Sequence, residues 1–181
     1  MAQSRGSDGR RGFFRAQKTV RLVVEGEDEE AWIGWIKKLY IGRGCGISVS
    51  TKNAHGKGAA HVINAAIREK RNASRQYDIV AALFDTDTDW RADIENQGEC
   101  AGIVLLPSTP CFEATLLAIL GESITGCDSN DLKRRLAKCL DGRPPRHANL
   151  SVFTRELLES RKAIEVLSAL LALLHPGDSA S

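Results

Sequence analysis

Tyr77-Asp78-Ile79-Val80-Ala81-Ala82-Leu83-Phe84-Asp85-Thr86-Asp87-Thr88-Asp89 is an apolar run that ends in carboxylates. Ile79 to Phe84 carries no polar residue, as expected of a strand buried on both faces. A second stretch repeats the design: Thr19-Val20-Arg21-Leu22-Val23-Val24-Glu25-Gly26-Glu27-Asp28-Glu29-Glu30. Both read as buried strands that deliver acids at their C-terminal ends. Clustered carboxylates repel one another and favour a counter-ion, for which a hard divalent cation such as Mg²⁺ is suited.

Working outward, strands alternate with helices. Strand signals cover Thr19–Val24, Ile47–Thr51 (weakly), Tyr77–Phe84 and Ala101–Leu106. Helical spacing covers Glu27–Tyr40, Ala59–Arg71, Arg91–Gln97, Phe112–Leu120 and Asp131–Leu140, the last capped by Asn130 or Ser129. After a break at Pro144-Pro145, Ser151–Leu174 reads as one long helix ended by Pro176. The expected fold class is therefore α/β: a Rossmann-like parallel sheet of about four strands with helices on both faces, plus a C-terminal helical extension. Residues 1–17 form a basic tail expected to be flexible, 18–125 the α/β domain, and 126–176 an extension of the same globule. Ligands of such sheets bind at the C-terminal strand edge, where Glu25 and Asp85 both fall.

The chain has 181 residues, 43% hydrophobic and 27% charged, with a net charge of +2. Charge distribution says more than the sum. Arg5, Arg10, Arg11, Arg15, Lys18 and Arg21 precede Glu25, and a second basic stretch runs from Lys133 to Lys162 with Arg134, Arg135, Lys138, Arg143, Arg146, Arg155 and Arg161. Acids in the middle and bases on the flanks suit a metal site that must hold a polyanion, although each patch alone reads equally well as a solvated helix face. Five cysteines without a Cys-x-x-Cys pair argue against a zinc site or a disulfide framework and for reduced thiols in a cytoplasmic protein. The apolar run Ala163–Leu174 is too short to span a bilayer, so no membrane is expected.

A strand ending in Glu-Gly, then a later strand ending in Asp-x-Asp, resembles the Toprim domain. Ser108-Thr109-Pro110-Cys111-Phe112-Glu113 resembles the Ser-x-Pro-Cys-Phe-Glu signature of RloB-like proteins, a Toprim branch linked to phage defence. Glu25-Gly26-Glu27 and Phe84-Asp85-Thr86-Asp87 match that branch too, so the likeness runs from about Thr19 to Leu120. It implies a metal-dependent nuclease acting on DNA or RNA, tRNA included, with one or two Mg²⁺ or Mn²⁺ ions. It also implies abortive infection or antiviral defence as the setting, and an ABC-type or AAA ATPase as partner.

The expected catalytic set is Glu25, Asp85 and Asp87. Glu25 binds metal or acts as general base, and Asp-x-Asp on an extended segment points both carboxylates one way. Glu29, one turn beyond Glu25, resembles the second acid of OLD-type two-metal nucleases, and is equally explained by a helix N-terminus that favours acids. Asp89 either binds metal or is solvated. Glu113 opens a helix where an acid suits the dipole, and the resemblance adds it as a metal ligand. His55 and Lys57 are expected to touch phosphate, and Trp90 and Arg91 nucleic acid, with Trp90 stacking on a base; the plainer reading of the His55–Gly58 loop is a solvated turn. Cys111 and Phe112 are read as packing residues, as are Trp32 and Trp35. Two other classes stay open. One is a non-catalytic assembly module, docking or forming a homodimer through the apolar C-terminal helix. The other is a HAD-like domain with Asp85 as phosphoryl acceptor.

Overall fold

The computed structural model describes residues 16–73, 75–145 and 149–175. Arg5, Arg10, Arg11, Arg15, Arg146 and Pro176, and with them most of the expected tail, lie outside the described residues.

Four parallel strands, β1 (Lys18–Val24), β2 (Ile47–Asn53), β3 (Ile79–Asp85) and β4 (Val104–Ser108), form one sheet in the order β2-β1-β3-β4. The apolar run of β3 and the largely apolar β1, interrupted by Arg21, which pairs with Glu69, are thus the two central strands. Helices α1 (Glu27–Tyr40), α2 (Gly58–Asn72), α3 (Ala92–Cys100) and α4 (Phe112–Leu120) follow the strands in turn. The architecture is α/β and Rossmann-like, with helices on both faces.

Strand alternation sorts the side chains into two cores. Val20, Leu22, Val24, Ala81, Leu83 and Leu106 join α1 and α4 in the larger core. Val23, Val80, Ala82 and Phe84 join α2 and Ile94 of α3 in the smaller. By the same alternation Asp85 follows Leu83 onto the α1/α4 face, while Glu25 follows Val23 onto the α2 face.

The C-terminal region packs into the larger core through Leu132, Leu136, Leu140, Leu150, Phe153, Leu158, Leu167 and Leu171. Two expectations are corrected here. The single long helix over 151–174 is instead a 3₁₀ turn (Leu150–Val152), a short α6 (Arg155–Ser160) and α7 (Glu165–Leu174). Phe153 leaves the helical path to lie edge-on against Trp32 at 4.8 Å, and its carbonyl accepts from Trp35 Nε1 at 3.0 Å. Thr154 then restarts the helix by accepting the Leu157 N–H. Helix α5 (Ser129–Cys139) is capped by Asp128, not by Ser129 or Asn130: the Asp128 carboxylate takes the Asp131 N–H at 2.8 Å. The leucines of α7 that suggested a dimer surface, Leu167, Leu170, Leu171, Leu173 and Leu174, are buried within this chain. Among the described residues no helix is long and apolar enough to cross a membrane.

Candidate metal centre

The acids meet where β1 and β3 end, because the register pairs Val24 with Leu83. Glu25 is anchored twice by backbone donors. Its Oε2 accepts the Asp85 N–H and its Oε1 the Gly58 N–H, each at 3.2 Å. Gly58 reaches this position because the loop after β2 runs alongside β1, with Ala54 and Gly56 N–H donating to the Val24 and Glu25 carbonyls at 2.8 Å. The loop turns with positive φ at His55, Gly56, Lys57 and Gly58. At Gly58, with φ +79°, a Cβ would lie 2.6 Å from Asp89 Oδ1, so glycine is required there.

Asp85 crosses to the other face, where its Oδ1 accepts the Phe112 N–H at 2.8 Å. That bond ties β3 to the first turn of α4, which carries Glu113. From α1 comes Glu29, buried at 7% exposure, its Oε2 accepting the Gly26 N–H at 3.0 Å. This is half of a capping box; Gly26 has no side chain to return the bond.

These carboxylates feel one another. Burial pushes the Asp85 carboxyl up to about 8, with repulsion from Glu29, Glu25 and Glu113 adding to it. Burial raises Glu29 to about 7, again with Glu25 and Glu113 contributing. An open cleft of about 400 Å³ exposes the group, lined by Glu25, Glu27, Asp28, Glu29, Asp85, Phe112, Glu113, Lys133 and Pro144 among others. Among these described lining residues six are acidic and one, Lys133, is basic.

A hard divalent cation fits this donor set by chemistry. The donors are all carboxylate oxygens, and burial, with repulsion among the acids, raises Asp85 and Glu29 to about 8 and 7. As the side chains stand, both Glu25 oxygens and one oxygen each of Asp85 and Glu29 accept backbone N–H groups, and among the described residues no group of three or more His, Cys, Asp or Glu converges in a way that could hold a metal ion.

Not every expected residue joins the cleft. Asp87 does not follow Asp85, which corrects the reading that Asp-x-Asp points both carboxylates one way. The strand ends at Asp85, and the Thr86 N–H turns to the Ser108 and Pro110 carbonyls at 3.1 and 3.0 Å. Asp87 then meets α5, accepting from Ser129 Oγ at 3.0 Å. Asp89 turns to α2, where its Oδ2 accepts the Ala60 N–H at 3.2 Å, so its role here is to cap that helix. His55 and Lys57 are exposed on the loop beside Glu25. Trp90 lies half-buried with its ring 4.9 Å from that of Phe84, which occupies one of its faces with core packing. Arg91 pairs with Asp93 at 2.7 Å on the surface. Cys111 is buried, and burial pushes its thiol up to about 12, which leaves no thiolate for nucleophilic chemistry.

Sequence reading missed Glu27, Asp28 and Lys133 as cleft residues. Glu27 and Asp28 lie in the first turn of α1, where acids suit the helix dipole whatever else they do. Lys133 stood in a basic run whose orientation only the seating of α5 against α4 decides.

Comparison with protein-family models, with curated proteins and with solved structures found no match.

Proposed function

We propose that this chain is a Mg²⁺- or Mn²⁺-dependent nuclease that hydrolyses phosphodiester bonds in DNA or RNA, and an RloB-like member of the Toprim group serving in anti-phage defence beside an ATPase partner. The observation that carries the chemistry is the meeting of Glu25, Glu29, Asp85 and Glu113, from β1, α1, β3 and α4, in one open cleft. The assignment to a family rests on the sequence motifs alone.

Glu25, Glu29, Asp85 and Glu113 would hold the ion. When bound, it supplies neutralisation of the phosphate and a water of lowered pKa. Asp85 and Glu29, held protonated by burial, would have to lose their protons to act as ligands, so metal affinity is expected to rise with pH through the neutral range. Glu25, fixed by two backbone N–H groups, provides an oriented carboxylate that can accept a proton from the attacking water. Asp87 acts at one remove, by holding the start of α5 through Ser129. The test is incubation with plasmid, single-stranded DNA and total tRNA, with Mn²⁺ and with chelator. Metal-dependent cleavage that disappears in Glu25→Ala and Asp85→Ala is expected; full activity in either variant sinks the mechanism.

One observation favours a non-catalytic assembly module instead. Both Glu25 oxygens already staple the β1 end to its neighbours, a structural task that needs no metal. Calorimetry separates the two readings: absence of any heat with Mg²⁺, Mn²⁺ or Ca²⁺ selects the module.

A further inference from the structure

The acidic cleft is not closed at the α5 side. A second groove, about 320 Å³ in volume, shares Asp28, Glu113, Lys133 and Pro144 with it, so the two open into one another. Their chemistry differs. The cleft is almost wholly acidic, whereas the groove continues over Leu136, Ala137 and Pro145. Leu136 is 1% exposed and anchored in the larger core, which makes it a fixed floor. The turn that supplies Pro144 is held by Asn149, whose Nδ2 donates to the Pro144 and Leu140 carbonyls at 2.9 and 3.3 Å.

Lys133 stands at the junction. Its side chain is 63% exposed, and its Nζ lies 3.9 Å from Glu113 Oε1. A pair so long and so exposed restrains the ammonium only weakly. Among the described lining residues of both spaces it is the one base.

The geometry points to a nucleotide subsite: Lys133 takes the phosphate next to the scissile one, and the Leu136–Ala137–Pro144–Pro145 groove receives the nucleoside attached to it. This rests on the nuclease reading above and narrows its substrate. A phosphodiester approaching the cleft is repelled by the carboxylates that are ionised there, and a cation at the mouth offsets that repulsion on one side. The apolar lining, reached through the partly exposed Ala137 and the exposed Pro144, offers dispersion contact to a base without reading its edge. The volume lies near the lower end of the ~300–1,000 Å³ of small-molecule sites, room for one nucleoside rather than a duplex. The substrate is accordingly a strand whose bases are unpaired at the cut, single-stranded or splayed.

The test uses the full chain with Ca²⁺ as a non-cleaving ion and a fluorescein-labelled single-stranded 12-mer (a probe length chosen at roughly one ssDNA-fold site size). Binding is read by anisotropy against salt. Lys133→Ala is expected to weaken binding by about fivefold or more and to lower the salt slope by nearly one, with Lys133→Arg restoring both. Ala137→Glu is expected to weaken binding of the normal strand at least about tenfold, with little effect on a 12-mer abasic at every position. The exposed Lys133 variant keeps the test valid if Ala137→Glu fails to fold. Wild-type binding with both variants within twofold of it overturns the subsite and leaves the nuclease reading intact. Equal losses for normal and abasic strands overturn the nucleoside half. No binding by the wild type to any strand overturns the subsite and the nuclease reading together.

Discussion

Asp85 and its two neighbours in the same acidic run, Asp87 and Asp89, make an instructive contrast. All three are aspartates within five residues of each other. Asp85 is the last residue of a central strand, and its burial, with repulsion from Glu29, Glu25 and Glu113, pushes it up to about 8. Asp87 and Asp89 follow the strand end and take ordinary structural work, one on the Ser129 hydroxyl and the other on the Ala60 N–H. Burial at the strand end thus disfavours the charged form of Asp85, while Asp87 and Asp89, beyond the strand, accept a hydroxyl and a helix N–H.

The largest expected difference is in catalysis. Asp85→Asn should lower metal-dependent cleavage by roughly a thousandfold or more, about 4 kcal/mol of barrier, in single-turnover assays. Asp87→Asn, acting through α5, should cost only about 10–100-fold. Equal losses would break the contrast.

Stability should move the opposite way. In chelator, the unfolded chain ionises its carboxylates near pH 4, whereas folded Asp85 and Glu29 keep their protons up to about 8 and 7. Between those limits the folded state binds more protons, so stability falls as pH rises from about 4 to about 8 and then levels. Asp85→Asn removes this penalty and should stabilise the chelated protein at pH 8, on the order of 1–3 kcal/mol by urea melts. Asp89→Ala should destabilise it by about 0.5–2 kcal/mol through loss of the α2 cap. Saturating Mg²⁺ should raise the melting point of the wild type at pH 8, with ~2.7 kcal/mol gained at a hundred times Kd, and leave Asp85→Asn nearly unmoved.

Gly58→Ala sharpens the comparison on the α2 side. With φ +79° and a new Cβ against Asp89 and Thr88, it should cost about 1–2 kcal/mol, and the loss should shrink in an Asp89→Ala background as the crowding is relieved. The smallest effect is expected at Ser108, buried at 0% exposure with a hydroxyl that has no hydrogen-bond partner among the described residues. Ser108→Ala should leave stability unchanged or raise it by up to ~1 kcal/mol.

The α/β class, the alternation of strands and helices along the chain and the strand-edge position of Glu25 and Asp85 were legible because they depend on local pattern; the order β2-β1-β3-β4 in the sheet was not. A run such as Ile79–Phe84 can be satisfied only by burial on both faces, and the acid after it must then emerge at the edge. The boundaries of β4 and α3 moved by one to three residues, since Ala101 closes α3 and Gly102, at φ +64°, turns the chain toward β4. The breaks at Phe153 and Ile164 were hidden because Ser151–Leu174 is spaced like a helix throughout; what separates its pieces is the pull of the larger core on Phe153, a long-range contact with Trp32.

By itself, then, the sequence determined that two buried strands deliver acids to one sheet edge, because side-chain periodicity and burial are local consequences of composition. Only the tertiary structure decided which acids share the cleft. Asp87 left it when Thr86 turned back to β4, Glu29 and Glu113 entered it from α1 and α4, and Lys133 was set at its mouth by the packing of α5. Those outcomes depend on where distant elements seat against one another, and the energy that seats them lies in the shared core rather than in the acids themselves.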